Sequence, residues 1–178
     1  ELIGAAFACD ITRVVALSLG EMPTERFGAD HISDNVHKGI AHDQYNSPEK
    51  HAAMADYISV HAEQVSRLVS LLESIPEGDG TSVMDNTLIL WGSELADGWH
   101  GYRAYCPVIL GGSWHFNLGQ YVYHPHATPI EILVPAQIDP SGYSTMSGLP
   151  HQHLLTSVAQ AMGLNDTHFG IKHVHGQN

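Results

Sequence analysis

Three groups of side chains have the residue types and spacing that metal chemistry needs. The first is the run His37-Lys-Gly-Ile-Ala-His42-Asp43, two histidines five positions apart with an adjacent carboxylate. The second is Glu94, Asp97 and His100, in a glycine-containing stretch between two apolar runs. The third is His151 and His153, where the last helix should begin. Neutral imidazole is the commonest side-chain ligand for transition metals. Catalytic zinc sites use three protein ligands from N, S and carboxylate donors, plus water. On this basis His42, Glu94 and His100 are the leading candidates to converge on one divalent cation, zinc or calcium. His37, Asp43 and His151 form a second tier. The third group has a competing reading, because a helix N-terminus also favours anions such as phosphate or sulfate. Histidine and aspartate are ordinary loop residues, so the weight lies in the three groups together.

Other chemistries fit less well. Ser93 lacks the G-x-S-x-G elbow of a serine hydrolase. Gly111-Gly112 is not followed by the Lys-Ser/Thr of a phosphate loop. Cys9 ends an apolar segment and Cys106 opens another, so both read as buried thiols rather than nucleophiles. His124-Pro-His126 reads as surface. Exposed aromatics such as Trp99, Tyr102 and Trp114 would suit a carbohydrate binder, although rim packing explains them as well.

Charge narrows the partners. Nineteen acids against seven Lys and Arg give a formal net charge of −12. A basic surface is what phosphate backbones require, so nucleic acid is not expected as a partner. The 43% apolar content suits one ordinary core within 178 residues. No apolar run reaches membrane-spanning length.

The elements that must position these groups follow from pattern. Residues 1–9 read as the later part of a helix leading into a strand over Arg13–Leu19. Thr24–Asn46 has no sustained period and reads as a long loop. Ser47-Pro48-Glu49 is a helix start, with N-cap, first-turn proline and first-turn acid in order. The helix should run to about Ile75 on a stripe of Met54, Ile58, Val65, Leu68, Val69, Leu72 and Ile75, with His61 as a satisfied core-edge histidine. Residues 88–91 and 108–110 are apolar runs without alternation, the pattern of strands covered on both faces. Gln120–Tyr123 reads as a short strand and Ile130–Val134 as an apolar island. A last helix over Leu154–Met162 should end at Gly163. Strands separated by helices predict an α/β fold, a mostly parallel sheet with flanking helices.

The chain resembles a group of secreted bacterial proteins of unknown function named for an H-x-x-S-H-H motif, itself related to the alkaline phosphatase and sulfatase-like superfamily. Ala6-Phe-Ala-Cys-Asp-Ile-Thr-Arg-Val14, Asp85-Asn-Thr-Leu-Ile-Leu-Trp-Gly-Ser-Glu-Leu95 and Leu154-Leu-Thr-Ser-Val-Ala-Gln-Ala-Met-Gly163 carry the resemblance. Lys38-Gly-Ile-Ala-His42-Asp43 stands in place of the naming motif and keeps only His42. Where the superfamily has a metal-binding Asp-His pair after the strand, this chain has Glu94-Leu95, and His100 matches a further histidine. The resemblance implies that residues 1–178 are the carboxyl-terminal part of one such α/β domain. It also implies a secreted or periplasmic location. A first helix that begins before Glu1 would leave part of the sheet unpaired or paired with another polypeptide, because native proteins cover an open strand edge. Two functions follow as expectations. One is a non-catalytic structural or interaction subunit that binds metal. The alternative is a metal-dependent phosphate- or sulfate-ester hydrolase whose nucleophile lies in an amino-terminal half outside these residues.

Overall fold

The computed structural model describes residues 1–32, 35–96, 98, 105–124, 130–133, 143–146 and 150–170. The chain divides into two compact units, Glu1–Leu88 with Asp97–Trp99, and Ile89–Ala96 with His100–Asn178.

The first unit is organised by α2, Pro48–Glu73; α1 is Leu2–Ala8. The start of α2 follows the sequence signals. Ser47 is extended at the N-cap and its hydroxyl accepts from the Lys50 amide at 3.3 Å, with Pro48 in the first turn. Replacing Ser47 by Ala should cost about 1 kcal/mol of stability, read as a lower midpoint in urea unfolding. No loss would mean that the cap is idle.

The core lies against the first half of α2. Phe27, Ala29, Val36, Ile40 and Ala53 form one buried cluster, with Ile32, Met54, Tyr57 and Val60 packed on it. Four of the five buried members come from residues 27–40, inside the stretch whose sequence pattern suggests only a long loop. That segment instead contains a 3-10 turn, Thr24–Phe27, and a π-helical turn, Val36–Ala41. Single turns too short to show a period bury the side chains that dock them. The predicted stripe on α2 also needs correction at Ile58, which is 51% exposed, whereas Ala53 is buried. His61 behaves as expected. It is half-buried, its Nδ1 lies 3.1 Å from the Tyr57 carbonyl, and its ring meets the Tyr57 ring edge-on.

At the far end of α2, Leu72 is buried, as are Val83 and Met84 of a second 3-10 turn, Val83–Asn86. A capping box between Ser82 and Asp85 fixes that turn. The Ser82 amide and hydroxyl both donate to Asp85 and hold its carboxyl below the usual carboxylate range. Gly4 of α1 sits so close to Leu71 and Ile75 that a Cβ there would crowd them, at 3.2 and 2.9 Å.

Strands β1, Leu88–Trp91, and β2, Val108–Gly111, pair with each other. Strands β3, Ile130–Leu133, and β4, Tyr143–Met146, form an antiparallel pair with Ile130 opposite Met146. Helix α3, His151–Ala161, closes at Gly163 in the left-handed conformation, φ 84°. Trp114 Nε1 donates to the Ala161 carbonyl at 2.9 Å, tying the loop after β2 to the end of α3.

The α/β expectation is therefore wrong for this chain. Helix dominates, and the described strands form only two-stranded pairs of four residues each, with no mostly parallel sheet. The sulfatase-like scaffold implied by the resemblance falls with it. The physical reason is visible in the described residues. Residues 13–19 form no ladder among the described residues, and Gln120–Tyr123 is not a strand, with Tyr121 84% exposed. Residues 88–91 and 108–110 are strands, but half-buried rather than covered on both faces. Cys9 and Cys106 are also exposed and free, not buried. No helix among the described residues is long and apolar enough to cross a membrane.

Candidate metal centre

The histidine pair owes its geometry to the π-helical turn. In an α-helix, residues five apart point about 140° away from each other. A π turn closes i to i+5 instead. Here the His42 amide donates to the His37 carbonyl at 3.3 Å, a bond of that span. Val36 and Ile40, buried in the core, anchor one side of the turn. On the other side the His37 and His42 Nε2 atoms come within 3.0 Å, with ring centroids 4.8 Å apart at 59°.

Polar contacts hold the start of the turn. Asn35 Oδ1 accepts from the Lys38 amide at 2.8 Å, and Glu21 Oε1 accepts from the His37 amide at 3.2 Å. At the end of the turn, Gln44 Nε2 donates to the Ala41 carbonyl at 3.1 Å. Gly98 lies against that carbonyl so closely that a Cβ would overlap it. None of these supports is evident from sequence. Val36 and Ile40, one α-helical turn apart, are the one local signal for an ordered turn.

Two nitrogens at this separation fit two states. With a proton between them, one ring donates and the other accepts. With a metal, bonds of about 2.0–2.1 Å in a tetrahedron place two ligands about 3.3–3.4 Å apart, so a shift of a few tenths of an ångström admits the ion.

Asp43 follows His42, but its carboxylate is held by Lys50 Nζ at 2.7 Å, which lowers its pKa; His42 adds a smaller lowering. Beside it is a cleft of about 470 Å³ lined by His31, Lys38, Asp43, Glu49 and Lys50. His31 Nε2 lies 2.6 Å from Glu49 Oε1, and Lys50 Nζ is paired with Asp43, so much of the polar lining is already engaged within the cleft. Glu94 is exposed in the bend after β1 and belongs to the second unit. His151 opens α3 in that unit and packs edge-on against Tyr105 at 4.9 Å. His100, like Asp97, Trp99 and Tyr102, lies outside the described residues. Among the described residues no group of three His, Cys, Asp or Glu could hold a metal ion. What they bring together is the pair His37 and His42.

Comparison of the chain with protein-family models, curated proteins and solved structures gives no match.

Proposed function

We propose that this chain is a non-catalytic structural or interaction subunit that holds a divalent transition metal on His37 and His42. The supporting observation is the 3.0 Å approach of the two Nε2 atoms across the π turn. Paired imidazoles favour zinc-class ions over calcium, which takes oxygen ligands. Catalytic zinc uses three protein donors. Among the described residues this pair supplies two donors.

The test is elemental analysis and zinc titration of the purified protein beside His42→Ala and His37→Ala. Each variant should lose at least about tenfold in zinc affinity, a scale that removal of a mere hydrogen-bond partner of a ligand already reaches. Far-ultraviolet circular dichroism should stay unchanged, because neither ring belongs to the core cluster. Zinc affinity equal to the parent's in both variants would reject the proposal.

A further inference from the structure

From Val14 to Pro23 the backbone has no turn or bend, and among the described residues the peptide groups of Val15–Gly20 make no backbone hydrogen bond. The Val14 amide reaches only the Thr12 hydroxyl, at 3.3 Å. Val14, Val15, Leu17 and Leu19 are nevertheless 78, 39, 61 and 37% exposed. Extended apolar backbone whose donors and acceptors find no backbone partner among the described residues is a template for strand pairing, and native proteins cover such templates.

The sequence of this segment says what would cover it. Side chains alternate along an extended chain. Odd positions read Arg13, Val15, Leu17, Leu19 and Glu21; even positions read Val14, Ala16, Ser18 and Gly20. The odd row is self-complementary when reversed. It has a cation at one end, an anion at the other, and three aliphatic residues between.

We propose that a second copy of this chain pairs antiparallel with this segment, in a register centred on Leu17. Leu17 then faces Leu17 of the second copy. Val15 faces Leu19 of the second copy and Arg13 faces its Glu21, each twice by symmetry. Odd residues occupy the non-hydrogen-bonded positions, where side chains approach most closely. Even residues exchange the backbone hydrogen bonds, Ala16 with Ser18 and Val14 with Gly20 of the second copy. A shift of one residue in either direction puts Arg13 opposite Gly20 or Met22 and Val15 opposite Ser18 or Gly20. A shift of two puts Arg13 opposite Leu19, or Val15 opposite Glu21. Charge and apolar matching coincide in the centred register alone.

The charged ends are available for this. Arg13 makes a bidentate pair with Asp10, Nε to Oδ1 at 2.9 Å and Nη2 to Oδ2 at 3.1 Å, on highly exposed side chains, and pairing with Glu21 of the second copy exchanges this contact for another. Glu21 accepts only one described backbone bond, from the His37 amide at 3.2 Å. A single strand pair makes a small interface at the weak end of specific contacts, so the dimer should form over roughly 1–100 μM.

Sedimentation equilibrium of the full chain, with and without a chelator, tests the proposal independently of the metal reading. The expected result is a monomer–dimer equilibrium that survives chelation. Leu17→Asp should weaken it at least about tenfold, since like charges then face each other across the axis. Arg13→Glu should weaken it, and the double variant R13E/E21R, which also gives up the Glu21–His37 amide bond, should return it to near the parent value in the presence of the chelator. Cross-linking fixes the register. In a Cys9→Ser, Cys106→Ser background, Leu17→Cys should oxidise to a covalent dimer, because self-opposed Cβ atoms lie within disulfide reach. Ala16→Cys faces Ser18 and should not. A monomer throughout the concentration range would overturn the proposal. So would a dimer indifferent to Leu17→Asp, or Ala16→Cys cross-linking as fast as Leu17→Cys. Leu17 is mostly exposed, so its variants should retain the parent's circular dichroism and unfolding midpoint.

Discussion

Replacing Ile40 by Ala is expected to lower the stability of the first unit by about 2–5 kcal/mol, the range for removing a fully enclosed aliphatic side chain. Ile40 is 0% exposed and packs in the cluster of Phe27, Ala29, Val36 and Ala53. It is held by a single turn rather than a long helix, so neighbouring turns offer little to refill the void. The loss should appear as a lower midpoint in urea unfolding. Because Ile40 lies two residues before His42, zinc affinity should fall in the same variant. A stability loss below about 0.5 kcal/mol, the ordinary range for surface substitutions, would mean that the cluster is not the core of the unit.

Gly98→Ala is expected to be the most damaging single-methyl change in the first unit. The added Cβ would overlap the Ala41 carbonyl and approach Gln44 Nε2 to 3.0 Å. The side chain of Gln44 can swing away, but the carbonyl belongs to the backbone that ends the π turn. Either the turn shifts or residue 98 does. Overpacking of this kind costs about 1–3 kcal/mol, and a backbone obstacle should place it at the upper end. The variant should also bind zinc more weakly, since Ala41 adjoins His42. Gly20→Ala is the control. Nothing lies within 4 Å of the place its methyl would take, so the unfolding midpoint should stay within error or rise slightly. Equal midpoints for Gly98→Ala and the parent would show that the close approach is not required.

What can be read from sequence is what is local. Ser47-Pro48-Glu49 starts α2, and Gly163 ends α3, because capping needs only neighbours. The pair His37 and His42 is also legible as a motif of type and spacing. Its geometry is not, since five-residue spacing places both rings together only in a π turn. The larger error concerns architecture. Apolar runs at 13–19, 88–91 and 108–110 resemble strands of one parallel sheet, but apolarity specifies burial or partnership, not which strand lies alongside. The core is hidden for the opposite reason. Phe27, Ala29, Val36 and Ile40 sit among Gly, Asp and His, and no window long enough to show a period surrounds them.

Helix α2, at 26 residues, spans about 39 Å. Its two fully buried residues lie toward its ends. Ala53 meets the Phe27–Ile40 cluster, and Leu72 is buried toward the other end, where the Val83–Asn86 turn packs. Between them no residue from Met54 to Leu71 is fully buried. Cooperative unfolding units form where contacts are dense and separate where they are sparse. The two ends can therefore open as separate units, so backbone amides of residues 36–42 and of residues 68–73 should exchange with solvent at different free energies. A substitution at one end should leave exchange at the other unaltered.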